Sequence, residues 1–261
     1  MSELNICSLS DDHVVEKSRP LVLAKEMPYS IAQFKLVETY LSLINPRDIE
    51  TTTRVFRLQD YLDLLGLKQI KMKNLKDNLS GLISIQIVVP FDNYKKGFLI
   101  TNLFESAVVE EDEAYGWLIK MKCSETAQKI LFDIKDINYI KYILRNTIFM
   151  SSSYSMLLYQ YLRYNLFRGK WLVPVNELRD NHLRATSSTY TDFMRFNEMI
   201  LKPCVDEVNK KSDIKVKYKT VFVNGRVQSI EFTATEKEED PMEYLEQRRD
   251  VNEYTEINQN P

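Results

Sequence analysis

The chain is poor in the residues that mark metal sites, disulfide scaffolds and nucleotide loops: three cysteines, two histidines and six glycines in 261 residues. Cys7, Cys123 and Cys204 are odd in number and far apart, which excludes a disulfide framework and leaves no CxxC pair for a metal. His13 and His182 are too few for the clustered histidines of a metal-dependent nicking enzyme, and both read as structural. No glycine falls in a GxxxxGK[ST] or GxGxxG loop, so no nucleotide cradle is expected. The start of the chain lacks a basic stretch followed by an apolar run, and no segment approaches the roughly 18 to 20 apolar residues of a membrane span. The expectation is a cytoplasmic protein with no cofactor, no metal and no membrane partner.

A surplus of positive charge is also missing, since the formal net charge is −2. The charge is uneven, however. From Glu236 onward nine acidic residues face three basic ones, which leaves the preceding body with 32 basic and 28 acidic residues, a net +4. A body able to bind nucleic acid, carrying an acidic tail, is compatible with that distribution. With 44% hydrophobic and 11% aromatic residues, the body has enough apolar material for two cores.

Residues 1–20 show no sustained period and read as a flexible arm. Ser30 with Gln33 forms a capping-box pattern, and Ile31, Phe34, Val37, Leu41 and Ile44 follow at helical spacing until Asn45-Pro46. Residues 54–58 read as a strand, 59–65 as a short helix stopped by Gly66, and 70–82 as a helix with Leu75, Leu79 and Leu82 inward. Lys71, Asn74 and Asn78 would then face out. Residues 84–89, 97–109 and 115–122 are β-rich runs parted by 93–96 and by the acidic 110–113, with a helix expected at 124–132.

The same order then returns. Residues 153–167 read as a helix with Tyr154, Leu157, Leu158, Tyr161 and Leu162 inward; 170–173 follow as a strand and 175–182 as a short helix. Residues 185–209, ATSSTYTDFMRFNEMILKPCVDEVN, run from a Ser/Thr-rich lead-in into a long amphipathic helix. Phe193, Phe196, Ile200, Cys204 and Val208 recur at spacings of three and four and form its core stripe. Thr191, Arg195, Glu198 and Lys202 recur on another face, and Asp192, Thr191 and Thr189 are the N-cap candidates. Residues 214–222 and 226–232 alternate as strands across Asn224-Gly225, the strongest hairpin signal in the chain. The fold class is therefore α+β: two tandem winged-helix domains related as a pseudo-repeat. Their bounds are 21–148 and 149–235, with the acidic tail at 236–261.

The stretches SSYSMLLYQYLRYNLFRGKWLVPVNELRD, FNEMILKPCVDEVNKKSDIKVKY and NGRVQSIEFT make the second domain similar to that of the iteron-binding initiators of theta-type plasmid replication. The resemblance rests on the Ser-x-Tyr-Ser helix opening, Leu-Lys-Pro inside the long helix, Glu-Val-Asn-x-x-Ser-Asp-Ile leading into a strand, and Gly-Arg before Ile-x-Phe. It is good over residues 151–233 and looser over 21–146. It implies that both winged helices bind double-stranded DNA, that monomers bind direct repeats (iterons) at the origin, and that dimers, formed through the first domain, repress the gene at an operator inverted repeat. It also implies help in origin opening and recruitment of the host initiator and replicative helicase. One departure matters: many relatives carry consecutive basic residues where this chain has Asn197, Glu198 and Met199, so its base contacts must differ.

For a helix entering the major groove, Arg195 is the candidate for a bidentate guanine contact and Glu198 for a cytosine amine. Lys202 shares their face. Thr191 shares that face too. Ser187, Ser188, Thr189 and Tyr190 suit phosphate or sugar, as do Lys217 and Lys219, which alternate with Lys215 along one strand, and Arg226 beside the hairpin turn would reach backbone or minor groove. Lys71, Asn74 and Asn78 would serve the first domain. Other readings stay open at this point: a winged-helix transcriptional repressor without a replication role, a nicking initiator of rolling-circle replication acting through one of the fifteen tyrosines, or a protein-binding scaffold.

Overall fold

The computed structural model describes residues 5–23, 29–46, 52–90, 97–132 and 139–237. They fall into two units, one running to Phe149 and the other starting at Met150. The acidic tail beyond residue 237 and the segment 93–96 lie outside the described residues.

The first unit begins with β1 (Val14–Ser18) and α1 (Arg19–Leu23), which corrects the reading of residues 1–20 as an arm. The partner that makes β1 a strand is remote: β7 (Tyr139–Ile143) pairs with it antiparallel, Val14 opposite Ile143. Between them come α2 (Ile31–Ser42), β2 (Thr53–Arg57), α3 (Leu58–Leu65), α4 (Met72–Ser84), β3 (Gln86–Pro90), β4 (Phe98–Asn102), β5 (Phe104–Asp112), β6 (Gly116–Cys123) and α5 (Glu125–Phe132); α6 (Arg145–Ile148) ends the unit.

The local chemistry explains several of these bounds. At the start of α2 the Gln33 amide donates to the Ser30 hydroxyl (3.2 Å) and the Ser30 amide to the Gln33 side chain (2.9 Å), a reciprocal cap. α3 stops at Gly66, whose φ of 66° is left-handed backbone that favours glycine. The β-rich run at 97–109 is two strands, not one. The chain changes sheets at Leu103, which is 1% exposed, after the Asn102 side chain has donated through its Nδ2 to the Ile83 carbonyl (2.6 Å).

In the second unit α7 (Ser153–Asn165) leads to β8 (Lys170–Pro174), a π-helical segment Glu177–His182, a 3-10 turn Ser188–Thr191 and then the long helix. That helix is made of α8 (Phe193–Phe196), a π turn Asn197–Leu201 and α9 (Lys202–Lys211). β9 (Ile214–Val223) and β10 (Arg226–Glu236) form a hairpin. Its turn residues Asn224 and Gly225 have φ of 51° and 74°, the primed geometry that matches strand twist. β10 takes in Glu236, placed opposite Ile214, so the regular fold reaches into what read as tail. Trp171 donates to the Tyr161 hydroxyl (2.9 Å) and lies 5.6 Å from the Phe232 ring, which ties β8, α7 and β10 into one aromatic core.

The sheets repeat place for place, β2-β6-β5 in the first unit and β8-β10-β9 in the second. Each last hairpin pairs its second strand, at the centre, with the short strand that precedes the middle helix. The chain is thus two tandem winged helices, the first enlarged by the β3–β4 hairpin and the β1–β7 pair.

One buried charge pair anchors the first unit. Lys17 on β1 and Glu38 on α2 are 4% and 0% exposed and form an ion pair. Tyr142 and Thr147 donate to the other Glu38 oxygen at 2.8 and 3.1 Å. Removing one partner of such a pair strands a charge in low dielectric. Glu38→Gln should therefore lower the unfolding free energy by about 3–5 kcal/mol, and Lys17→Met/Glu38→Leu should recover part of that loss, as read by urea titration at neutral pH.

His182 stacks on Tyr161 with ring centroids 4.3 Å apart. Burial pushes its pKa below the ordinary 6.5, although Glu177 at 3.5 Å pulls the other way. Because the folded pKa is the lower one, the unfolded chain takes up more protons on acidification. The contribution of His182 is complete at neutral pH and fades as the pH falls below about 6.5. In a Trp117→Phe background, the urea midpoint followed by Trp171 fluorescence should drop across that window, and His182→Phe should flatten the drop.

Candidate nucleic-acid interface

The long helix of the second unit is held from one side. Phe196, Leu201 and Val208 are fully buried, with Ile200, Cys204 and Val205 nearly so. At its start Asp192 is the cap, its carboxylate accepting from the Arg195 amide (2.9 Å). The two threonines considered for that role act in the lead-in instead: the Thr191 hydroxyl donates to the Ser188 carbonyl (2.7 Å), and the Thr189 amide donates to the Ser187 hydroxyl (3.4 Å). Arg179, clamped by both Asp180 oxygens (2.6 and 2.8 Å), holds this loop by donating to the Tyr190 carbonyl (3.3 Å).

Thr191, Arg195, Glu198 and Lys202 are all exposed, as are Ser187, Ser188 and Thr189; Tyr190 is half-buried. The structure therefore brings the helix-borne candidates onto the solvent side together. It adds two side chains that lie outside the apolar stripe and are not among those candidates, Met194 at 68% and Met199 at 57% exposure.

Asn197 is half-buried and its amide oxygen accepts from the Tyr218 hydroxyl on β9 (2.7 Å), fixing the helix against the wing. Burial pushes the Tyr218 phenol up, so it stays a donor. Side chains alternate along a strand, which puts Lys215, Lys217 and Lys219 on the face opposite Tyr218. They are exposed, but they do not join the helix-borne group. Arg226 is exposed beside the turn, where Phe222 and Val223 also stand out at 62% and 44% exposure.

In the first unit α4 occupies the equivalent place. Leu75, Leu79 and Leu82 are buried, Lys71 and Asn74 are exposed, and Asn78 is half-buried with its carbonyl accepting from the Gln33 side chain (3.4 Å). Lys73 and Lys76 are exposed on the same helix and add basic charge that apolar spacing alone does not single out. The wing of this unit has the opposite character. Glu110, Glu111 and Glu113 are exposed at its tip, with Tyr115 and Trp117 at 49% and 40% exposure.

Cys123, Cys204, Tyr159 and Glu207 are placed for structure. Burial pushes the Cys123 and Cys204 thiols up to about 12, far from thiolate at neutral pH. Tyr159 is fully buried and donates to Asp213 (3.0 Å). Burial also acts to raise Glu207, yet the Ser151 and Ser155 side chains and Lys211 hold its pKa below the ordinary carboxylate value; it accepts from the Ser151 amide at 2.7 Å, ahead of α7. Among the described residues no group of three His, Cys, Asp or Glu is arranged to hold a metal, and no helix is long and apolar enough to cross a membrane.

Residues 14–163 match the family model described as "Initiator Replication protein, WH1", and residues 174–234 match the one described as "Initiator Rep protein, WH2". Among solved structures the chain is similar to a Pi initiator protein crystallised in complex with iteron DNA. The TM-score is 0.73 and the identity 20%, over 89% of this chain and 100% of that one, a likeness of fold. No curated protein sequence matches the chain.

Proposed function

The chain belongs to the initiator replication protein family, whose two winged-helix models it matches in order, and from that membership we propose that it is a plasmid replication initiator that binds repeated double-stranded DNA at its origin. The observation that carries the reading is the outward face of the long helix, where Arg195, Glu198 and Lys202 stand together beside a hairpin wing. Side chains of that kind on a groove-sized helix read base edges, while cations beside them neutralise phosphate. That the similar Pi initiator was captured on iteron DNA supports direct repeats as the target.

Arg195 contacts guanine and Glu198 a cytosine amine; Ser187, Ser188, Thr189, Tyr190, Lys202 and Arg226 contact backbone. Lys217 and Lys219 touch phosphate only where the duplex runs past the outer face of the sheet. α4, through Lys71, Lys73, Asn74 and Lys76, carries the first unit's share, with Asn78 at its margin. Binding helps to open the origin and brings in the host initiator and the replicative helicase, and the whole takes place in the cytoplasm. No catalysis is required of the chain for this role.

The β3–β4 hairpin supplies the contact for a dimer that exchanges with the monomer and represses the gene at an inverted repeat. β4 exposes Phe98 at 61% and Ile100 at 51% in a sheet of only two strands, an arrangement marginal on its own. Phe98→Lys/Ile100→Lys should shift sedimentation toward monomer at concentrations where the wild type dimerises, and leave affinity for a single repeat unchanged.

Arg195→Ala should cost roughly 1–3 kcal/mol on the cognate repeat and much less on a scrambled duplex. Lys73→Ala should weaken both alike and make the slope of log affinity against log salt shallower by about 0.9. Supercoiled origin DNA incubated with the protein and magnesium should stay uncut. Nicked circles covalently joined to a tyrosine would replace this reading with an enzymatic one.

A further inference from the structure

Met194 and Met199 flank Arg195 and Glu198 on the outward side of the long helix. Met194 stands four residues before Glu198 and Arg195 four before Met199, the spacing that sets side chains over one another, so the four form one cluster. The π turn Asn197–Leu201 sends Ile200 and Leu201 into the core side by side and leaves Glu198 and Met199 side by side outside.

The composition of this cluster is wrong for a phosphate track. Phosphate repels a carboxylate and gains nothing from a thioether. A base-reading face has use for both, because the major groove offers the cytosine amine as a donor and the thymine C5-methyl as an apolar group. Methionine suits the methyl group, being unbranched, polarizable and able to settle around a small apolar body. The run Asn197, Glu198 and Met199 carries no basic residue, so this face has the means for a base preference of its own.

We propose that Met194 and Met199 read thymine, each packing its thioether against the C5-methyl of a thymine beside the base pair contacted by Arg195 and Glu198. The assignment rests on this helix entering the major groove, and it adds the class of base that the flanks of the contact select.

Deoxyuridine pairs as thymidine does and lacks only the methyl group, so it deletes the proposed contact from the DNA side. The repeat selected by the full-length protein from a random duplex library would be rebuilt with each thymine replaced singly by deoxyuridine. Each duplex would then be titrated by fluorescence anisotropy at fixed salt. Replacement at a thymine touched by a methionine should weaken binding about fourfold, the worth of one buried methyl-sized group, and replacement elsewhere should have no effect. Met194→Ala and Met199→Ala should each bind the thymine and deoxyuridine forms equally at one position, with melting unchanged because neither side chain is buried.

Equal binding to every deoxyuridine duplex by the wild type would overturn the proposal, as would a loss that persists in both alanine variants. Arg195→Ala tells the two levels apart. If it relaxes specificity while deoxyuridine changes nothing, the helix lies in the groove and the methionines do not read thymine. If neither substitution changes binding, the groove reading fails as well.

Discussion

Pro203 has no amide hydrogen, and its ring takes the space that an α-helix reserves for the carbonyl four residues earlier, at Met199. The long helix keeps its course by widening just ahead of the proline. Asn197–Leu201 form a π turn, and Pro203 falls at the opening of the α segment that follows. Much depends on this local concession. It lets Ile200 and Leu201 both enter the core, keeps Glu198 and Met199 outside, and leaves Asn197 turned sideways to receive the Tyr218 hydroxyl. The outward face is thus set by a residue that is not itself part of the contact.

The two winged helices share a strand order and differ in charge. Lys215, Lys217, Lys219 and Arg226 give the second wing a basic surface, whereas Glu110, Glu111 and Glu113 make the tip of the first acidic. Phosphate repels the acidic tip, so in the first unit the helix α4, with its lysines, is the one of the two elements suited to lie along DNA. Duplication of a topology has not duplicated its electrostatics. In the proposed complex each unit would meet the same polymer with a different division of labour between helix and wing.

Much of this architecture was legible in the residues, where the controlling interaction is local. Asn224-Gly225 marks a primed hairpin turn and Ser30 with Gln33 a reciprocal cap, because each closes its hydrogen bonds within a few residues. Even the π turn left a trace. Phe196, Ile200, Cys204 and Val208 step by four three times over, which on an α-helix of 3.6 residues per turn would drift by roughly a third of a turn. What stayed hidden was settled at long range. β1 is a strand only because β7 reaches it, and the run at 97–109 breaks only because Leu103 finds a core. At the site, the polar candidates on the helix could be placed from spacing; Met194 and Met199 fall outside the stripe of Phe193, Phe196, Ile200, Cys204 and Val208, but nothing in an apolar side chain marks it as a surface group with a role. The opposed face of Lys217 and Lys219 follows from pairing Tyr218 with Asn197, a contact with no sequence signature.

The pairing of β1 with β7 also bears on how the chain is made. Synthesis proceeds from the N-terminus, so Lys17 and Glu38 leave the ribosome well before Tyr142 and Thr147, the hydroxyls that complete the carboxylate's shell. Until then the first unit cannot close, and its long-range pairing places it among slow-folding topologies. The second unit waits less: the strands of its hairpin are neighbours in sequence, and Trp171 and Phe232, which join its aromatic core, lie closer together along the chain than Lys17 and Tyr142. A nascent chain therefore carries an unfinished first domain for most of its own length, and that interval is when its apolar strands are most open to chaperones, proteases and mispairing with another copy.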